Sequence, residues 1–199
     1  MKVARTIRRK ISEEAYDFIH RCCGSYEAQK ADAIYRFVQE GLRMGRAVMS
    51  HLTAPYMQTL FAIERNFTNE SHFFIEILRF EELENGTLFG RINPKSEVLP
   101  YLADHFADRF AGEQWVIADT VHRTVLLHKA NYKTVYLSMD EVDMDELTLT
   151  YSEDEKQLQK LWKLFVDTIA IKERVNPKLQ RQMLPLRFRK YMKEFSETE

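Results

Sequence analysis

Little in this sequence suits flexible linkage, covalent stapling or membrane insertion. Its 199 residues include only six glycines and five prolines, too few for a Gly/Pro-rich linker or a low-complexity tract. The only two cysteines, Cys22 and Cys23, are adjacent, and a bond between neighbours would be severely strained. That usage points to a reducing compartment, so a cytoplasmic location is expected. No apolar run approaches the ~20 residues needed to span a bilayer. The amino terminus, MKVARTIRRKI, is basic but lacks the apolar stretch and cleavage site of a signal peptide. No phosphate-binding glycine loop, HExxH helix, CxxC pair or GxSxG elbow is present. The six histidines are scattered without metal-ligand spacing, so neither a metal nor a cofactor is expected.

The charge is nearly balanced, at −1, but unevenly placed. Residues 139–155 carry Asp140, Glu141, Asp143, Asp145, Glu146, Glu153, Asp154 and Glu155 with no Lys or Arg. Residues 172–193 carry Lys172, Arg174, Lys178, Arg181, Arg187, Arg189, Lys190 and Lys193 against Glu173 alone. Lys2, Arg5, Arg8, Arg9 and Lys10 make the other end basic as well. A charge run is usually a solvated face. Two basic ends around an acidic stretch raise the case for an anionic partner.

Periodicity predicts a single α+β domain over 1–199. It is helical over 1–70, sheet-containing over 71–138, an acidic connection over 139–151 and helical again over 152–195. Ser12 caps a helix that runs to Cys23 and stops at Gly24, and places both cysteines in its core. A longer helix carries Ile34, Phe37, Val38, Gly41, Gly45, Val48 and Leu52 on one stripe. Each of those glycines costs about 1 kcal/mol relative to Ala in a helix interior. They therefore point to close approach, either of another helix or of a ligand or nucleic-acid backbone. Phe74–Phe80 and Leu88–Ile92 read as a hairpin around Asn85-Gly86, with Phe80 opposite Arg91 and Glu82 opposite Phe89. A helix follows over 97–110, then strands over 115–119, 123–128 and 132–137, giving a small antiparallel sheet with a packed helix. Ser152 and Glu155 form a capping box ahead of the stripe Leu158, Leu161, Trp162, Phe165 and Ile169. Asn176-Pro177 opens one further helix and Pro185 breaks it, starting another through Tyr191 to Phe195.

Four constellations are candidates for function. On the helix at 97–110, Tyr101, His105 and Arg109 recur every four residues, with Asp104 and Asp108 near enough to orient them. This is either a salt-bridged solvent face or a polar pocket in which His105 moves a proton and Arg109 holds an anion. Asp119 and Arg123 flank a short connection, either bracing the turn or projecting into a site. His72 and Arg79 bracket the start of the hairpin, and Arg79, set in FFIEILRF, must reach solvent or find a partner. The fourth constellation is the carboxy-terminal segment. Arg174, Lys178, Arg181, Arg187, Arg189 and Lys190 suit phosphates, Asn176 and Gln180 can read base edges, and Phe188 and Tyr191 can stack. Docking on an acidic protein partner, or on the chain's own 139–155 stretch, is the alternative for the same segment.

These motifs resemble a family of uncharacterised bacterial proteins built on a domain of unknown function and described as acting in DNA repair or DNA metabolism. The match is carried by Gly41-Leu-Arg-Met-Gly45, by His72 with Leu78-Arg-Phe80, and by Val98-Leu-Pro100 with His105-Phe-Ala-Asp-Arg109. It continues through Trp115-Val-Ile117, Asp119, Arg123 and Leu161-Trp162 with Phe165. Its most specific stretch is Ile169-Ala-Ile171, Glu173-Arg174, Asn176-Pro177, Leu179-Gln180, Pro185 and Arg187-Phe-Arg189. Phe188 stands where the family favours an aromatic, often Tyr, which is a mild departure. The resemblance implies a gene linked to a radical-SAM protein of DNA modification or repair, and in some relatives a fusion to a uracil-DNA-glycosylase-like domain. It also implies a further amino-terminal stretch, so a shortened family member is expected here.

The leading expectation is a nucleic-acid-associated accessory protein for DNA repair or modification, with DNA and a radical-SAM protein as partners and no membrane. An enzyme using the His/Arg/Asp pocket on a nucleic-acid or nucleotide substrate is the second. An adaptor without chemistry of its own is the third.

Overall fold

A computed structural model describes residues 2–141 and 150–195. They fall into two compact units, one drawn from Met1–Phe73 and Pro94–Val98, the other from Phe74–Asn93 and Leu99–Glu199. The acidic connection expected over 139–151 lies outside the described residues from 142 to 149.

The first unit is helical: α1 (Lys2–Lys10), α2 (Glu13–Gly24), α3 (Lys30–Met44) and α4 (Pro55–Ile77) up to Phe73. Ser12 caps α2 as its sequence predicts, its Oγ accepting from the Ala15 N–H at 3.0 Å. Ile7, Ile11, Phe18, Phe37, Val48 and Leu60 meet in one apolar core. Cys22 lies in that core, and burial pushes its thiol up to about 12. Cys23 is exposed, because it falls one residue off the buried stripe. A Cβ on Gly41 would stand 2.5 Å from Ile11 Cδ1, so this glycine serves close packing within the unit. Gly45 is different. Its φ of +61° ends α3 at Met44, so the stripe expected to reach Leu52 continues only as the 3₁₀ turn Gly45–Ser50. Buried Glu70 then ties Pro94–Val98 to α4, accepting from the N–H groups of Lys95 at 2.9 Å and Ser96 at 3.1 Å.

The second unit is built on a five-stranded sheet ordered β1 (Phe80–Glu82), β2 (Leu88–Ile92), β3 (Trp115–Asp119), β4 (Thr124–His128) and β5 (Val135–Ser138). The fold class is α+β, but the sheet is mixed where an antiparallel one was expected. β2 and β3 run parallel, because the chain between them crosses back through α5 (Leu99–Arg109) instead of turning tightly. The hairpin also differs from its expected register. Phe74–Ile77 stays helical as the end of α4, and Phe80 faces Gly90 where Arg91 was expected. Leu83 N–H bonds Thr87 at 3.0 Å and Gly86 sits at φ +77°, so three residues, not two, make the loop. That shift puts Glu81 in the same side-chain row as Phe89, two residues from Arg91 on one face of the sheet.

α5 covers the opposite face. Its buried Leu99, Leu102 and Phe106 pack down, with Phe106 rings 5.3 Å from Phe80 and 6.4 Å from Trp115. Phe89, Val116, Ala118 and Val125 form the other layer, with Leu83 and Tyr151 against them. Residues 150–152 run along the outer edge of β1, where Ser152 N–H bonds Glu82 O at 3.0 Å. Ser152 then caps α6 (Glu153–Ile169), accepting from Glu155 N–H at 3.1 Å. The capping box is only half made, since the Glu155 carboxylate accepts from the Glu82 N–H at 3.3 Å instead. α6 buries none of its apolar stripe: Leu158, Leu161, Trp162, Phe165 and Ile169 are all exposed. The chain ends in α7 (Pro177–Met183) and the 3₁₀ turns Leu186–Tyr191 and Lys193–Phe195, which take the place of the α-helix expected after Pro185.

Candidate nucleic-acid interface

The carboxy-terminal segment is held on the sheet by a charge cluster that the hairpin register creates. Glu81 is 6% exposed. It receives Arg91 Nη2 at 3.2 Å on one oxygen and Lys193 Nζ at 2.5 Å on the other. Arg91 Nη2 also donates to the Tyr151 hydroxyl at 2.9 Å. Burial, reinforced by Glu81, pushes the Tyr151 phenol up to about 12, so it stays neutral at any physiological pH. A carboxylate with a cation on each side can be buried without an uncompensated charge.

Around this cluster residues 184–195 pack closely. Phe188 is buried and meets Phe74 edge-on at 5.2 Å, and Met192, four residues on, is buried as well. Asn93 Nδ2 donates to Arg187 O at 3.0 Å, and the Thr120 and Tyr191 hydroxyls lie 3.0 Å apart. Arg189 donates from Nε to Leu184 O at 3.1 Å and lies over the Phe195 ring at 4.4 Å. Its Nη1 reaches Gln180 Oε1 at 3.4 Å, and Asn176 Oδ1 accepts from the Leu179 N–H at 3.1 Å as the cap of α7. Asn176, Gln180 and Arg189 thus make their contacts inside the segment. Arg174, Lys178, Arg181, Arg187 and Lys190 are exposed, with Arg187 over the Phe188 ring at 4.2 Å and Lys190 over the Tyr191 ring at 5.1 Å.

The candidate polar pocket is not gathered in the same way. His72 is exposed on α4 in the first unit, and the other members belong to the second. On α5, Tyr101 and His105 are half-buried and Arg109 is exposed. The His105 ring stands edge-on to Phe106 at 5.0 Å, and its buried Nε2 has no hydrogen-bond partner among the described residues. Asp119 is buried and braces its own turn, accepting from the N–H groups of Val121 and His122 and meeting His122 Nδ1 at 2.7 Å. Arg123, at φ +54°, pairs with Asp140 at 2.7 Å on the surface, where such a pair contributes little. Arg79 reaches solvent and donates to Glu76 O at 3.4 Å, closing the end of α4. His105 and Asp119 share no hydrogen bond or ion pair among the described residues.

A profile of the domain of unknown function DUF4130 matches residues 28–194. The chain belongs to the DUF4130 family. No curated protein and no solved structure matches it. The family match bears out the resemblance to a domain-of-unknown-function family, and it spans both the charge cluster and the exposed cations.

Four residues of this DUF4130 chain escaped the sequence reading: Glu81, Arg91, Tyr151 and His122. Arg91 carried a usable signal. It interrupts the apolar strand Leu88–Ile92 just as Arg79 interrupts its own run, and a charge there needs a partner. Glu81 and Tyr151 carried none, since their pairing depends on contacts far apart in sequence. His122 reads as a polar residue in a turn until Asp119 is seen beneath it.

Proposed function

We propose that this chain is a nucleic-acid-associated protein of DNA repair or modification, whose carboxy-terminal segment takes phosphates of the DNA backbone. The supporting observation is the sorting of cations along one short stretch. Arg189 and Lys193 fold inward and make a firm platform, while Arg174, Lys178, Arg181, Arg187 and Lys190 stay exposed upon it. Cations held on a rigid platform lose less freedom on binding than cations on a loose tail. Lys178 and Arg181 lie on α7, Arg187 and Lys190 on the turn after it, and Arg174 at the end of the 3₁₀ turn Lys172–Arg174. The assignment to repair or modification, and to a radical-SAM partner, rests on the family resemblance of the ordered motifs.

Five neutralised phosphates give a log–log salt slope of about −4.5 on duplex and about −3.5 on single strands. Titration of both forms at two salt concentrations is the test. The reading fails if binding is absent or indifferent to salt. An adaptor role separates from it through the variant K178A/R181A, which loses DNA and keeps a radical-SAM partner if the two activities are independent.

A further inference from the structure

Between β1 and the middle of α6 lies a cavity of about 280 Å³, lined by Arg79, Phe80, Glu155, Leu158, Gln159 and Trp162 together with the Glu81–Lys193 pair and Glu194. It has room for roughly nine waters at ~30 Å³ each, below the size of most drug-sized ligand sites and suited to one small ring system. Phe80, Leu158 and Trp162 are its apolar lining residues, and the Phe80 ring is packed against Phe106, Phe110 and Trp115.

We propose that this cavity takes one unstacked nucleobase of a single-stranded nucleic acid, with the Trp162 indole as its stacking platform; the proposal rests on the phosphate-binding reading above. Trp162 is 42% exposed, an uncommon placement for a side chain with so much apolar surface. Its Nε1 donates to Glu194 at 3.4 Å, a long, exposed bond on the ring's edge. Gln159 Nε2 donates to Glu155 Oε1 at 2.6 Å. A carboxylate accepts only, so the amide must turn its nitrogen to Glu155, and its oxygen is left without a partner among the described residues. An amide with an available acceptor and a second N–H matches the donor and acceptor edge of a base.

The charge distribution excludes a phosphate from the interior and favours one at the mouth. Glu81 is neutralised by Arg91 and Lys193, and Glu155 and Glu194 add negative charge. Arg79 is exposed at the rim, where it makes a long bond to Glu76 O at 3.4 Å. Lys193 is both a wall of the cavity and the last cation of the basic segment. Because Lys193 closes one of its walls, the basic segment ends in sequence at the edge of this slot, whose carboxylates outnumber its cations. Stacking on a tryptophan is sequence-tolerant because every base has a π-face, so the site selects unpaired strands over duplex, not one base over another.

The test uses the full chain and three probes of equal length: oligothymidylate, the same backbone with abasic sugars throughout, and a duplex. Trp115 is fully buried, so quenching of the exposed tryptophan reports on Trp162. Oligothymidylate is expected to quench the fluorescence and to bind roughly 5- to 150-fold more tightly than the abasic strand. Trp162→Ala removes that difference and Trp162→Phe keeps most of it, with an unchanged thermal melt as the control for folding. Equal affinity for the abasic strand, or an unaltered preference in Trp162→Ala, overturns the base site while the salt-dependent duplex binding still stands. A Trp162→Ala variant that changes the oligomeric state but not strand affinity overturns it too, assigning the α6 stripe to a protein interface. Absence of binding to all three probes removes both readings together.

Discussion

Arg181 and Arg189 lie on the same basic segment, yet they do opposite things. Arg181 sits on α7, which buries none of its side chains. Arg189 sits in the following turn, where Phe188 is buried and the guanidinium is held by Leu184 O and the Phe195 ring. The comparison teaches that a run of positive charge is two populations until partners are known. A cation held partly buried by contacts within the chain is part of the fold, and the exposed ones are those an anion can reach.

The sharpest way to break this division is to attack the packed half. Phe188→Ala removes a buried ring and is expected to cost about 3–5 kcal/mol of stability, read as a lower midpoint of urea unfolding. The double variant K178A/R181A on the exposed half should stay within about 0.5 kcal/mol of the parent. Equal losses in the two would dissolve the distinction. Arg91→Ala comes next. It leaves Glu81 with Lys193 alone, and about 2 kcal/mol is expected because burial of the group is incomplete; Arg91→Lys should recover part of the loss, and a neutral result would mean the cluster holds nothing.

On binding, K178A/R181A should lower the salt slope by about 2, near one unit per phosphate contact. Loss of affinity with the slope unchanged would place those cations off the DNA path. The smallest effect is in alkali. The Tyr151 phenol is raised from 10.0 to about 12, so the folded state favours its neutral form. The stability this contributes is complete below pH 10 and is lost as pH rises through about 12. Unfolding followed over that window should steepen in the parent and flatten in Tyr151→Phe. Identical curves would place Tyr151 outside the cluster.

Much of the architecture was legible in the sequence, and the failures have physical causes. Ser12, Ser152 and Asn176 all cap helices as their chemistry predicts. The strand Trp115–Asp119 and the helix ending at Arg109 were readable from period alone. Phe74–Ile77 misled because aromatic and β-branched residues suit strands, yet the helix begun at Pro55 meets no stop before Leu78. Asn85-Gly86 promised a two-residue turn, and Leu83–Thr87 pairing made a longer one. That one-residue difference decides which side chains share a face, and with it the existence of the Glu81–Arg91 pair. On α6 the stripe was right about the helix but carried no information on what covers it. The candidate site was half legible: residue types marked the basic segment, while the inward turn of Arg189 and Lys193 depends on pairings that only the folded chain brings together.

The most direct test of the central claim is the salt dependence of duplex DNA binding in three chains measured side by side. The parent should give a log–log slope of about −4.5, and K178A/R181A about −2.7. Arg189→Lys, at a position that faces inward, should keep the parental slope even if the fold is weakened. A slope near zero in the parent, or a larger loss of slope from Arg189→Lys than from K178A/R181A, would contradict the account.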